Sequence, residues 1–147
     1  VSIPKAPLIL GLAGLIPFFW GAATMIFPNL SNLGMQTLGP RFVAPFVLLN
    51  YGTIILAFMS GVLWGFATKS DGAKAAQNYA LSTLPALWVF FMVGNRPGSS
   101  AIYLIAGFVA VLALDWHFNK QALTPPWWLR LRVILTVCVV ACLAVLV

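Results

Sequence analysis

The side chains best placed to do chemistry in this chain are Asp115, His117, Arg130 and Arg132. Asp115 is an acid inside an otherwise apolar stretch, where an ionisable group is a functional candidate by default. Arg130 and Arg132 follow a short connection later. An interhelical ion pair, Asp115 with Arg130 or Arg132, is therefore sterically natural. A proton relay would need further acids or histidines deeper in the apolar interior, and the sequence supplies none. His117 is the sole histidine. It lies two positions from Asp115, a spacing that turns the two side chains apart on a helix. A single imidazole could ligate a haem or a chlorophyll-type pigment, but an interfacial histidine is the plainer reading. Cys138 and Cys142 stand one helical turn apart, which meets disulfide geometry poorly. With no second pair to complete a metal set, they read as packing residues. There is no phosphate-binding loop, no Ser/His/Asp set and no second carboxylate for acid–base work. The expectation is no enzyme, with no catalytic residue, cofactor or metal.

The scaffold for these residues is set by composition. Of 147 residues, 62% are hydrophobic and 7% charged, against about 45–50% apolar and about a quarter charged in soluble domains. A helix crossing a bilayer needs about 20 apolar residues, so the chain holds about five. The expected fold is all-α, a polytopic membrane bundle of about five transmembrane helices forming one domain over residues 1–147. A barrel would show alternating segments, and the unbroken apolar run from Ile102 to Leu112 does not alternate. The net charge of +6 comes from cations scattered in ones and twos. That pattern suits lipid headgroups and orientation and excludes a nucleic-acid stripe.

The spans are read as Ala6–Phe27, Phe42–Ala67, Ala76–Val93, Ser100–Phe118 and Trp127–Val147. The first exceeds the apolar core of a signal peptide, about 7–15 residues, and is read as a retained helix kinked at Pro17. Residues 28–41 read as a polar connection. Lys69–Lys74 form a charged turn, Gly94–Gly98 is a breaker cluster, and Pro125-Pro126 introduces the last helix. Lys5, Lys69, Lys74, Lys120, Arg130 and Arg132 fall on one side of the membrane, with Arg41 and Arg96 on the other. The positive-inside rule then places the N-terminus in the cytoplasm and the C-terminus outside, in the periplasm of a bacterial inner membrane. Trp20, Trp88, Trp116, Trp127 and Trp128 sit near span ends as interfacial anchors.

In the second span Thr53, Ala57, Gly61 and Gly65 recur every four residues and share one face, which Asn50 extends. Small residues at that spacing admit a close helix neighbour, within the bundle or from a partner. Gly11, Gly14 and Gly21 form a weaker version in the first span.

The stretch Asn50–Gly65 resembles the signature of a small bacterial membrane family of unknown function, related to mitochondrial transmembrane protein 69. Ile3-Pro4 through Gly14–Phe18, Leu81–Pro85, and Pro126–Arg132 with Leu135-Thr136 are similar to the same family, and Asp115 falls where it tends to carry an aspartate. The resemblance runs in order along nearly the whole chain. Leu63 departs from it, standing where a polar or basic residue is expected before Trp64-Gly65. The resemblance implies a multi-helix protein of the bacterial inner membrane or mitochondrion and no established reaction.

With no catalytic set, little mass outside the bilayer and faces suited to helix contact, the expected role is a non-catalytic accessory or assembly subunit. Its partners would be the lipid bilayer and subunits of a larger respiratory or photosynthetic membrane complex, with neither nucleic acid nor a small-molecule substrate expected. A small self-associating transporter or channel, using Pro17, Pro45 and Pro85 to interrupt helices, is the alternative. A lipid-modifying enzyme built on Asp115, His117 and Arg130 is a third.

Overall fold

The computed structural model describes residues 2–147, and the elements among them are helical. In chain order they are α1 (Lys5–Ala13), α2 (Ile16–Ile26), α3 (Pro28–Thr37), a 3₁₀ turn (Pro40–Phe42), α4 (Phe46–Ala67), α5 (Gly72–Met92), α6 (Pro97–Lys120) and α7 (Trp128–Ala144). α4 is the central helix. Leu48, Gly52, Leu56, Leu63 and Ala67 form a buried stripe at helical spacing. It packs against α2, α5 and α6, while α7 lies against α6 and against the α1–α2 arm.

Three segments are long and apolar enough to cross a membrane: Lys5–Ile26, Phe46–Ala67 and Pro97–Lys120. The 22 residues of α4 rise about 33 Å, enough for a hydrocarbon core of about 30 Å. α5 opens with a polar turn carrying Lys74, Gln77 and Asn78, and α7 has 17 residues including Arg130 and Arg132. The polar opening of α5 and the shortness of α7 are why only three of the five expected spans are both long and apolar enough.

One expectation from sequence is met and one is modified. The first span, Lys5–Ile26, is interrupted at Gly14-Leu15, as a helix carrying Pro17 should be. Pro17 has no N–H to give Ala13, so the helical ladder cannot continue through this point. The Tyr51 hydroxyl, reaching across from α4, donates to the Gly14 carbonyl at 2.9 Å. The connection over residues 28–41 is instead mostly helix, since Pro28 at its start has a φ already suited to a first turn.

Pro85 lies inside α5 without ending it. The next amide, Ala86 N–H, would ordinarily donate to Ser82 C=O. Instead it donates to Ser60 Oγ of α4 at 2.9 Å, and that hydroxyl donates to Ser82 C=O at 2.7 Å. One serine thus fills the gap in a neighbouring helix and ties α4 to α5. Thr24 does the same between α2 and the start of α4: Ala44 N–H donates to its hydroxyl at 3.0 Å, and the hydroxyl donates to Gly21 C=O at 2.8 Å. Where helices come closest, glycine is required by space. A Cβ on Gly107 would lie 2.5 Å from Leu56 Cδ2 and 3.1 Å from the Trp88 ring; one on Gly21 would lie 2.7 Å from Leu48.

Ser60→Ala should lower unfolding stability in detergent by about 1–3 kcal/mol, the cost of leaving buried backbone groups without partners. Gly107→Val should cost a similar amount, about 1–3 kcal/mol, by overpacking α6 against α4. Thermal unfolding followed by circular dichroism checks both. Wild-type stability of Ser60→Ala would mean that α5 closes its own gap.

Candidate functional site

The inner face of α6 reads Ala101, Leu104, Phe108, Val111, Asp115, Phe118, all buried. Helical spacing thus sets a carboxylate where the stripe would otherwise continue with an apolar residue, and Asp115 is only 1% exposed. Its partners come from α7. Arg132 Nε donates to Asp115 Oδ2 at 2.9 Å, and the Trp128 indole N–H donates to Oδ1 at 2.9 Å. Trp128 and Arg132 are four residues apart and so share one face. The short connection between α6 and α7 turns through Ala122, held at a φ of 58°, and is pinned by Leu123, which is buried beside Leu63, Ala67 and Phe118. Together these features lock α7 onto α6 at one end of the bundle.

The guanidinium is not saturated by this pair. Among the described residues, Arg132 Nη2 and Thr136 Oγ1 are buried with no hydrogen-bond partner. Arg132 also forms part of the wall of a cavity of about 500 Å³ between α1, α2, α4 and α7, lined almost wholly by apolar side chains such as Leu10, Phe18, Phe58, Met59 and Leu135. The site therefore combines a charge-neutral ion pair with a half-open apolar groove beside it, from which the unpartnered Nη2 is closed off.

The other residues singled out from sequence lie elsewhere. Arg130 is exposed, one position off the buried face. His117 is half-buried, with its Nε2 3.1 Å from Gln121 Nε2, and Gln121 exchanges amide hydrogen bonds with Asn78 of α5. Cys138 and Cys142 are free thiols, Cys142 within the core. Among the described residues no cluster of His, Cys, Asp or Glu is positioned to hold a metal. On α4, Asn50, Ala57, Gly61 and Gly65 are exposed, and Thr53 is half-buried, its hydroxyl donating to Leu49 C=O. A Cβ on Gly61 or Gly65 would meet nothing within 4 Å, so no other helix of this chain covers them. Gly11 and Gly14 line the cavity, with Leu135 3.3 Å from a Cβ built on Gly11. Leu63 is 1% exposed in the second apolar cluster, where a lone basic side chain would be expensive.

Sequence reasoning did not single out Trp128 as an Asp115 ligand, nor Tyr51, Ser60 and Thr24 as bridges. The Trp128-to-Arg132 spacing of four was the available signal for the first. The hydroxyls had none, because each serves a backbone gap in a different helix.

Fold and site define an all-helical membrane protein organised around a buried acid–base pair and carrying no recognisable catalytic set among its described residues. The chain belongs to the family described as "Protein of unknown function (DUF3429)", whose profile matches residues 3–147. It is 33% identical over 140 residues to Transmembrane protein 69 of Xenopus tropicalis, covering 91% of this chain and 50% of that protein. It is 32% identical over 139 residues to Transmembrane protein 69 of Mus musculus, covering 90% of this chain and 51% of that one. The chain thus spans about half the length of these relatives. No solved structure matches it.

Breaking the pair from one side should cost far more than removing it whole. Arg132→Met strands a buried carboxylate and should destabilise by about 3–5 kcal/mol, whereas Asp115→Leu with Arg132→Met should be near neutral. Unfolding of both variants in the same detergent checks this. Equal losses in the two would show that the guanidinium and carboxylate are not coupled.

Proposed function

We propose that the protein is a non-catalytic accessory or assembly subunit that packs against a larger energy-transducing complex, respiratory or photosynthetic, in a bacterial inner membrane. The observation that carries this reading is the bare face of α4. Gly61 and Gly65 present backbone to the outside with no neighbour within 4 Å of where a Cβ would stand. Beside them runs a shallow groove of about 540 Å³ between α4 and α5, edged by Ala57, Trp64, Thr83 and Leu87. Small residues in a bilayer gain from close backbone approach and from interhelical dispersion, and both need a second helix. The chain spends its internal small residues, Gly21, Gly52 and Gly107, on its own contacts; the outer set is left for another protein.

In this reading α5 and α7 also cross the membrane, giving five spans. α5 has the length, and α7, at about 26 Å over its 17 residues, spans most of the hydrocarbon core. Lys5, Lys69, Lys74, Lys120 and Arg130 then share the cytoplasmic side, with Arg41 and Arg96 opposite and the C-terminus periplasmic.

Two measurements test this. Gly61→Leu with Gly65→Leu should abolish co-purification with the larger complex while leaving unfolding stability within about 0.5 kcal/mol of wild type, as for surface substitutions; retention of every partner would contradict the proposed face. For orientation, a membrane-impermeant thiol reagent added to intact cells should label Ser99→Cys and not Ala73→Cys. The reverse pattern would invert the topology.

A further inference from the structure

We propose that the polar pocket between the start of α5 and the end of α6 binds a phosphomonoester, carried by a lipid head or by a small soluble molecule. The pocket holds about 280 Å³ and is lined by Lys74 and Gln77 of α5 with His117, Lys120 and Gln121 at the end of α6. Each of these side chains can donate a hydrogen bond, and none is acidic. Helical spacing gathers them. Lys74 and Gln77 are three residues apart, and Lys120 and Gln121 stand three and four beyond His117, so each set shares one face of its helix.

The two ammonium groups have no counter-ion within the chain. It has two acidic residues. Asp115 is buried against Arg132, and Asp71, just before α5, does not line the pocket. Among the described residues neither lysine makes an ion pair. Lys120 Nζ stands 4.3 Å from the centroid of the Trp116 ring, a cation–π contact that steadies the ammonium without using up its three donors. The wall behind is already fixed. Asn78, 1% exposed, exchanges amide hydrogen bonds with Gln121, whose Nε2 also lies 3.1 Å from His117 Nε2. Gln121 is thus committed inside the protein, and Lys74, Gln77 and Lys120 are left to donate to a ligand. A wall ordered beforehand lowers the entropic cost of binding.

Charge selects the ligand class. A phosphomonoester carries about −1.5 to −2 at neutral pH and offers three acceptor oxygens, which matches two ammonium groups. A phosphodiester or a carboxylate carries a single charge and would leave one cation over. Depth admits both sources. Lys120 ends a segment long and apolar enough to cross a membrane, so the pocket lies at headgroup level. Further into that segment the exposed residues along the same faces are small or apolar, Ala80 and Leu84 on α5 with Ala113 and Val109 on α6, and suit an acyl chain. A soluble phosphomonoester would reach the same donors from the water. The pocket shares no residue with the groove between α4 and α5 at the proposed partner face.

The test uses the full chain in discs of phosphatidylcholine doped with rising fractions of dioleoyl phosphatidate or of dioleoyl phosphatidylglycerol, a singly charged diester. Native mass spectrometry reads the dopant retained by the chain. Glycerol 3-phosphate and glycerophosphocholine are titrated into undoped discs by calorimetry. Phosphatidate held about tenfold or more tightly than phosphatidylglycerol supports the site and names a lipid source. Saturable binding of glycerol 3-phosphate, with the same margin over glycerophosphocholine, supports it and names a soluble one. Lys74→Gln with Lys120→Gln, both at exposed positions, should erase the preference for the monoester. Lys5→Gln with Lys69→Gln, which removes the same charge outside the pocket, should keep it. A monoester preference below that margin in both comparisons, a preference that survives Lys74→Gln with Lys120→Gln, or equal losses in the two double variants would each overturn the proposal.

Discussion

A bilayer offers a helix no water, so each backbone N–H and C=O that leaves the helical ladder must find its partner inside the protein. This constraint organises the fold. The chain interrupts its own ladder at Pro17 and Pro85, and at each place a hydroxyl from α4 answers: Tyr51 at Gly14, Ser60 between Ser82 and Ala86. Trp20 and Trp88 add indole donors to the carbonyls of Phe42 and Tyr103. α4 is therefore more than the middle of the apolar core. It carries the polar atoms that let its neighbours bend, and beyond the bend α2 packs on α4 as well as on α7, which α1 also touches.

The Asp115–Arg132 pair obeys the same rule under a heavier penalty. Two buried charges are tolerated because they face each other with an indole in support, and the result is a neutral clasp between α6 and α7. One guanidinium nitrogen, Nη2, stays buried without a hydrogen-bond partner among the described residues. The clasp and the bare face of α4 are built from different residues.

Long apolar runs made the helices legible from sequence, and the isolation of Asp115 made its need for an arginine legible too. Choosing Arg132 over Arg130 needed the phase of α7, which the sequence alone left ambiguous because both lie in its first turns. α3 was hidden because Asn29, Asn32 and Gly34 resemble a loop. The glycine spacing of α4 was visible, but not that Gly61 and Gly65 point away from the rest of the chain. Gly107 carries one of the tightest helix contacts and has no small neighbour in register to announce it; only the side chains of Leu56 and Trp88 across the gap define its role.

Gly61 and Gly65 stand bare on one outer face of α4, the face on which the proposed partner would pack. Extraction of the tagged wild-type protein from native membranes in mild detergent, followed by sizing, an absorption spectrum and mass spectrometry of everything that accompanies it, tests that most directly. Co-migration with an assembly far larger than 15.9 kDa is expected, and its subunits would identify the complex. A protein that runs alone, or only with copies of itself, would contradict it.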